Sequence, residues 1–301
     1  VDAPPPNPSQ ECAAQKFIYL KTHKTGSSTI LSILHRYSFK YQLNSALPID
    51  NMYLGWPTRK GALNSFTSIR GVTDYDVFAS GHSTWSHNYL REIVPVGKQI
   101  TILREPVSQF VSSWNHWHPY EHIVGMGGPD LTMTQFLDSP EKYWKYAKWS
   151  DEALLHNSYS YDFGITSKPK QSDVDGIIKA MENEFDLVMI TEYMDESLIM
   201  LRRLFCWDME DILHFSMKVT KAKHQHSSGA ATKDELAIRK LNWADVQIYD
   251  ALNKTFWKKM EPNLKDPTFQ LELDQLRTGR ELIGKKCKVW ENYEEDFHRL
   301  K

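Results

Sequence analysis

The sequence lacks the features that would place it in several specialised classes. Its 36 basic residues are balanced by 38 acidic ones, which argues against general binding to nucleic acid or to an anionic membrane surface. No apolar run approaches the length of about 18 residues that a membrane-spanning helix needs. There are only three cysteines, at 12, 206 and 287, and their wide spacing does not resemble a zinc site. Any two of them could pair, and the sequence does not choose among the three bridges.

The N-terminal region also lacks a hydrophobic core of its own. Residues 1–15 contain four prolines and few apolar side chains, so we interpret them as a stem or linker. No signal-peptide pattern is present, and Val1 is not an initiator residue, so we expect a segment to precede it. Residues 16–301 show no internal repeat and no clear boundary, which predicts one domain.

Short apolar runs alternate with helical patterns along this domain. Continuous runs rich in β-branched residues are typical of a parallel sheet covered on both faces, so we predict a three-layer α/β fold with a central, mainly parallel sheet. Each run is followed by polar residues, and ligands of such sheets bind outside the carboxyl ends of the strands. The four predicted strands are 17–20, 77–79, 100–103 and 187–190.

Helices are predicted after three of these strands. One begins near Ser27, and another begins at Pro106, a residue that suits the first helical position. A third follows the last strand around Leu198 to Phe205, and a further amphipathic stretch runs from Lys233 to Met260.

The strongest chemical signal is the segment between the first strand and its helix. Residues 21–29 read Lys-Thr-His-Lys-Thr-Gly-Ser-Ser-Thr. A glycine turn at a helix N-terminus can hold phosphate oxygens on its backbone N–H groups, and Lys24 adds a full positive charge. The segment is not a nucleotide-triphosphatase loop, because Lys24 precedes Gly26, whereas that motif has its lysine directly after the glycine. This argues against a nucleotide kinase.

A second anion-binding signal follows the third strand. Arg104 stands at the strand end, and Ser112 lies on the face of the next helix opposite its apolar stripe. Together they could bind one anion, Arg104 through a charge-assisted pair of hydrogen bonds and Ser112 through its hydroxyl.

These two motifs resemble those of a known enzyme family. Residues 21–29 look like the 5′-phosphosulfate loop of the Golgi galactose 3-O-sulfotransferases, and Arg104-Glu105-Pro106 with Ser112 looks like the 3′-phosphate motif of that superfamily. The segments 190–208 and 249–257 are also similar to the family, so the resemblance covers about residues 16 to 260. Two departures stand out: Glu105 replaces an aspartate that many relatives carry, and residues 218–232 match poorly.

The resemblance implies a P-loop-like sulfotransferase fold and a function. The donor would be PAPS (3′-phosphoadenosine-5′-phosphosulfate), with PAP as product and no metal. The acceptor would be the 3-hydroxyl of a β-galactoside on a glycolipid or glycoprotein. It also implies a type II membrane protein of the Golgi lumen, with its anchor outside this sequence; the oligomeric state stays open. The expected donor-binding residues are Lys21, His23, Lys24, Thr25, Gly26, Ser27, Ser28, Thr29, Arg104 and Ser112.

Catalytic roles follow from the chemistry of transfer. Lys24 can stabilise charge on the departing phosphate, and the acceptor hydroxyl needs a general base. His82 is the predicted base, because it follows the second strand and matches the position where related sulfotransferases carry a catalytic histidine. His23 could bridge donor and acceptor. Aromatic faces suit sugar rings, although most tryptophans belong to cores; Trp85, Trp114 and Trp117 lie near the motifs.

Several alternatives remain at this point. A glycosaminoglycan uronyl 2-O-sulfotransferase is the nearest one, although the near-neutral charge disfavours a long polyanionic acceptor. A non-catalytic glycan-binding protein on the same fold is the other. The polar segment 221–229 is either a loop that closes over the nucleotide or a solvated surface loop. Asn253 heads an Asn-Lys-Thr sequon, for which glycosylation is left open.

Overall fold

A computed structural model describes residues 16–48, 56, 75–79, 81–147, 149–166, 168–215 and 231–287. The predicted stem, residues 1–15, and the polar segment 221–229 lie outside these described residues. The assignment of residues 16–301 to one domain therefore stays a prediction.

The described strands form one all-parallel sheet, as the apolar runs predict. The strand order is β2-β1-β3-β4, so the first strand lies between the second and the third. In β1, side chains that point to opposite faces of the sheet are equally inaccessible, which requires a covering layer on both faces. The strands are β1 (Phe17–Leu20), β2 (Val77–Phe78), β3 (Lys98–Leu103) and β4 (Leu187–Ile190).

Two of the helices that flank the sheet begin at the residues that the sequence predicts, one at Ser27 and one at Pro106. The stretch from Lys233 to Met260 divides into two helices at Asn242, because this residue leaves helical geometry and its side chain accepts a hydrogen bond from another segment. The helices are α1 (Ser27–Lys40), α2 (His87–Ile93), α3 (Pro106–Trp117), α4 (Pro119–Gly125), α5 (Met133–Asp138), α6 (Trp149–Leu155), α7 (Ser158–Asp162), α8 (Gln171–Glu184), α9 (Met194–Phe205), α10 (Met209–Ile212), α11 (Lys233–Leu241), α12 (Trp243–Leu264) and α13 (Pro267–Lys286), with short 3-10 turns at Pro140–Lys142 and Thr191–Tyr193.

Two hydrophobic clusters hold these layers together. The larger one surrounds the sheet and includes α1, α8, α9 and α12. The smaller one lies on α3 and joins it to α4, α5, α6 and α11 through residues such as Phe110, Trp114 and Phe136. Within the described ranges, no helix combines the length and the apolar character that a bilayer crossing requires.

The cysteines differ in chemical state. Cys206, which directly follows α9, is disulfide-bonded. Cys287 carries a free, exposed thiol, and Cys12 lies outside the described residues.

Candidate active site

The loop between β1 and α1 is shaped by two residues with left-handed backbone. Lys24 has φ of 59° and Gly26 has φ of 71°. A side chain at Gly26 would be strained by this φ, and its Cβ would approach the Met194 side chain to 3.1 Å. Gly26 is exposed and directly precedes α1, and a helix N-terminus that follows a glycine turn suits an anion.

The hydroxyl groups of this loop divide into two sets. The Thr22 hydroxyl donates to the Ile102 carbonyl and lies 2.8 Å from the hydroxyl of Thr25, while the hydroxyl of Ser27 donates to the Thr22 carbonyl at 2.8 Å. Thr25 and Ser27 are buried, so their hydroxyls hold the loop in shape rather than facing a ligand. The side chains that reach the surface are those of Lys24, Ser28 and Thr29.

The ends of three strands meet at this loop. The hydroxyl of Thr191, which follows β4, lies 2.6 Å from the Thr25 carbonyl and 2.8 Å from the Leu103 carbonyl at the end of β3. A single side chain therefore ties the loop to the two neighbouring strands, which is where the parallel sheet predicts a ligand site.

Arg104 lies beside the loop. Its guanidinium donates to the Lys24 carbonyl at 3.3 Å. Its backbone is held by Tyr159 of α7, whose hydroxyl accepts from the Arg104 N–H at 2.9 Å and donates to the Arg104 carbonyl at 2.5 Å. Ser112 is half-buried on α3, and no hydrogen bond joins it to Arg104 among the described residues.

His82 lies next to the loop and is engaged on both ring nitrogens. Its Nε2 is 2.6 Å from the Lys21 ammonium, and its Nδ1 is 3.2 Å from the Lys21 carbonyl oxygen. This pattern fits a neutral ring that accepts at Nε2 and donates at Nδ1. Burial lowers the pKa of His82 well below its usual range, and the neighbouring charges of His23 and Lys21 lower it further.

The second histidine of the site, His23, stacks on His82. The ring centroids are 3.6 Å apart and the planes differ by 12°. Its Nδ1 is 2.8 Å from Oδ1 of Asp162, and its backbone N–H donates to Oδ2 of the same carboxylate at 3.0 Å. Asp162 also accepts from the Trp56 indole at 3.1 Å.

Two histidines and an aspartate could also suggest a metal centre, since their donor atoms lie within 4.8 Å of one another. The local charges oppose that interpretation. The Lys21 ammonium lies against Nε2 of His82, where it would repel a cation, and both oxygens of Asp162 already accept hydrogen bonds. These hydrogen-bonded side chains are better suited to holding and transferring protons than to binding a metal ion.

Comparison with known proteins identifies the family. The model of the family described as galactose-3-O-sulfotransferase matches residues 1–295. The chain belongs to this family. It is 30% identical to galactose-3-O-sulfotransferase 3 of Bos taurus over 94% of this chain and 65% of that protein. It is 31% identical to human galactosylceramide sulfotransferase over 83% of this chain and 59% of that protein. Galactose-3-O-sulfotransferase 2 of Mus musculus is 30% identical, with 93% and 71% covered. The chain thus spans about three fifths to two thirds of the first two relatives.

The structure accounts for one departure from the galactose 3-O-sulfotransferase pattern. Glu105 caps α3, because its Oε2 accepts from the Ser108 N–H at 2.9 Å, and its Oε1 accepts from the Arg239 guanidinium of α11 at 2.6 Å. Its own N–H donates to Glu192, which also accepts from the Tyr249 hydroxyl at 3.1 Å. Glutamate therefore works at this position as both a helix cap and an ion-pair partner.

Of the three tryptophans considered for sugar binding, one lies beside the loop between β1 and α1. Trp85 and Trp114 are 7% and 5% exposed and belong to the cores. Trp117 is half-buried, its ring lies 5.9 Å from that of His23, and the Lys24 ammonium lies 5.3 Å from its centroid. Trp117 is therefore placed where an acceptor sugar could stack.

Sequence reasoning missed α7, which supplies two of the site's contacts. This helix is five residues long and carries both Tyr159 and Asp162. So short a helix has no apolar periodicity, and a lone aspartate in a Ser/Tyr-rich segment carries no motif. Asp162 lies 139 residues from His23 in sequence, so only the folded chain shows that they are partners.

Proposed function

We propose that the chain transfers a sulfuryl group from PAPS to the 3-hydroxyl of a β-galactoside on a glycolipid or glycoprotein. The observation that carries this proposal is the junction of the two anion motifs. The glycine turn before α1, with Lys24, is joined to Arg104 by a direct hydrogen bond, in a chain that belongs to the galactose 3-O-sulfotransferase family.

The residues present fit an anionic nucleotide donor. A side chain at Gly26 would be strained at its left-handed φ and would approach Met194, and the glycine turn lies between Lys24 and the N-terminus of α1. These groups suit the 5′-phosphosulfate, while the guanidinium of Arg104 suits the 3′-phosphate. Ser28 and Thr29 add hydroxyls that reach the surface. Lys21, Thr25 and Ser27 are buried and act mainly by holding the shape of this surface.

The chemistry of transfer assigns roles to the charged groups. When bound, the donor supplies a sulfuryl group whose sulfur the acceptor oxygen attacks, while the bond to the 5′-phosphate breaks and its electron pair leaves with that phosphate. Lys24 and the N-terminus of α1 stabilise the charge that builds on the phosphate.

The proton of the acceptor hydroxyl must go to a base, and the stacked histidines are the candidates. His82 is the one predicted from the sequence, and no observation tests that role directly. Its Nε2 would have to exchange Lys21 for the acceptor, and burial disfavours its protonated form by lowering its pKa. Both rings are buried, but Nδ1 of His23 lies 2.8 Å from Asp162 and its Nε2 is not engaged by Lys21, so the geometry favours His23 as the base, with His82 holding the Lys21 ammonium.

The test of the donor assignment is a calorimetric titration with PAP, with ATP as the competing nucleotide. We expect PAP to bind and Arg104→Ala to weaken it by about 10- to 100-fold, because one or two charge-assisted hydrogen bonds are lost. Arg277→Ala is the matched control, since that arginine pairs with Asp195 on another surface and should leave PAP affinity unchanged. A folded protein that binds no PAP would overturn the donor assignment and favour a glycan-binding protein.

The acceptor is tested separately, with PAPS and a panel of oligosaccharides. We expect sulfate on the 3-hydroxyl of terminal β-galactose, identified by mass spectrometry after glycosidase digestion. Transfer to uronic acid residues instead would support the glycosaminoglycan alternative. Location in the Golgi lumen through an N-terminal anchor stays a prediction, and whether the protein forms homo-oligomers stays open.

A further inference from the structure

Asp162 is the most completely buried charged group at the site. Its side chain is 0% exposed, its carboxylate accepts from the His23 backbone N–H and from the Trp56 indole, and its Oδ1 lies 2.8 Å from Nδ1 of the His23 ring. A carboxylate surrounded by donors accepts hydrogen bonds and does not donate them. The shared hydrogen between Asp162 and His23 therefore belongs to Nδ1 of the ring.

This contact leaves the other ring nitrogen of His23 in a defined state. With hydrogen on Nδ1, neutral His23 presents a lone pair at Nε2. No group among the described residues hydrogen-bonds to that Nε2, whereas Nε2 of His82 is already engaged by Lys21. Of the two stacked rings, His23 is therefore the one whose lone pair, at Nε2, contacts neither Lys21 nor Asp162.

The same carboxylate also fixes where the ring lies. By accepting the His23 backbone N–H, Asp162 holds the donor loop at the residue before Lys24. Asp162 is in turn the last residue of α7, and its carbonyl accepts from the Trp85 N–H at 2.7 Å. Asp162 therefore links the donor loop to the segment that follows β2.

We propose that Asp162 is a positioning residue for sulfuryl transfer, holding His23 in the Nδ1–H tautomer with its ring fixed beside the donor loop. The proposal rests on the function proposed above. In the transfer step, Nε2 of His23 accepts the proton of the acceptor hydroxyl as the oxygen bonds to sulfur. His23 becomes an imidazolium, and Asp162 remains ionised and stabilises it.

The decisive variant is Asp162→Asn in the full chain, because it keeps the shape and removes the charge. An amide can present its N–H₂ to Nδ1, which would favour the opposite tautomer of His23. We expect kcat for a β-galactoside to fall by about 10²- to 10⁴-fold, the range typical of general-base catalysis. The KM for the acceptor and the affinity for PAP should each change by less than about 5-fold. The low-pH limb of the kcat profile should also be lost.

The chain offers a control in a second aspartate–histidine pair, in which the aspartate is buried and the histidine is 30% exposed. Asp151 is 2% exposed on its side chain and contacts Nδ1 of His122 at 2.9 Å, joining α6 to α4 outside the donor loop. Asp151→Asn also removes a buried carboxylate, and we expect it to leave the pH profile of kcat unchanged. A shared loss of rate in both variants, with unchanged profiles, would indicate a purely structural role for Asp162 and overturn the proposal.

A second measurement does not depend on the variant folding or on activity. Nitrogen-15 chemical shifts of the wild-type histidine rings report which nitrogen carries hydrogen. We expect the Nδ1–H tautomer for His23 in the protein without ligand, with His82→Gln used to assign the signals. The Nε2–H tautomer at His23 would overturn the proposal. If the tautomer is as expected but the protein neither binds PAP nor transfers sulfate, the proposed function fails instead.

Discussion

Two regions of the molecule use charged and polar side chains to join helices, and they differ in burial. The first, the α7 clamp, consists of Tyr159 and Asp162 on α7 with Asp245 and Asn242 at the start of α12. The second, the α9–α13 ion pairs, joins Arg202, Arg203 and Asp195 to Glu272, Arg277 and Arg280.

The α7 clamp is almost completely shielded from water. Asp245, 2% exposed, accepts from the backbone N–H groups of Tyr159 at 2.9 Å and Ser160 at 3.2 Å. Asn242 accepts from the Asn157 N–H at 2.7 Å, and the side chain of Asn157 accepts from the Ala244 N–H at 3.2 Å. Each helix thus caps the other, which positions α7 for its contacts with His23 and Arg104.

The α9–α13 ion pairs are partly solvated. The side chain of Arg277 is 44% exposed and that of its partner Asp195 is 17% exposed. Asp195 has a second partner in Arg280 at 2.7 Å. Because buried polar groups lose more than solvated ones when a partner is removed, we expect burial rather than the number of charges to decide how much each set of contacts stabilises the protein.

The largest effect on stability is expected from Asp245→Ala. This change leaves two buried backbone N–H groups on α7 without an acceptor, at about 1–3 kcal/mol each. We expect the free energy of unfolding, measured by urea titration, to fall by roughly 2–4 kcal/mol. A loss below about 0.5 kcal/mol would show that the clamp is not organised as described.

The same residue should make stability depend on pH. Burial raises the pKa of Asp245 to about 7, against about 3.9 for an unfolded aspartate. Between these values unfolding releases a proton, so this group's stabilising contribution is lost as the pH rises from about 4 to about 7. The free energy of unfolding of the wild type, measured by urea titration, should therefore exceed that of Asp245→Asn by more at pH 5 than at pH 8. An equal gap at the two pH values would contradict the raised pKa.

Tyr159→Phe should have an intermediate effect that reaches the donor site. It removes the hydroxyl that contacts both the N–H and the carbonyl of Arg104. We expect a stability loss of about 1–2 kcal/mol and a PAP affinity lowered by roughly 3- to 10-fold, because Arg104 is held less firmly. Calorimetric titration with PAP measures this affinity. An unchanged affinity would show that the α7 clamp does not influence PAP binding.

The smallest effect is expected from Arg277→Ala among the α9–α13 ion pairs. Asp195 keeps Arg280, and the lost pair is solvated, so stability should change by less than about 0.5 kcal/mol. Any difference from the wild type should shrink further in 1 M salt, where such pairs are screened. A loss of stability as large as that of Asp245→Ala would contradict the expectation that the solvated ion pairs contribute less than the buried clamp.

The sequence by itself determined the local elements of the fold and the place of the segment that we propose as the donor loop. The apolar runs that become β1 and β4 have the predicted bounds, and α1 and α3 begin at Ser27 and Pro106. These features depend on neighbouring residues, whose periodicity and turn chemistry are visible in the chain. The motif at 21–29 likewise combines a strand, a glycine turn and a helix start within a few residues.

Only the tertiary structure decided which of these side chains work together. His23 and Asp162 are paired across 139 residues, and Lys21 meets His82 across 61. It also showed that Thr25 and Ser27 face inward, and that Trp117 is at the site while Trp85 and Trp114 are in the cores. Such contacts arise from strand order and from the docking of a one-turn helix on α12. Neither leaves a periodic pattern in the sequence, because each depends on residues that meet only when the sheet assembles.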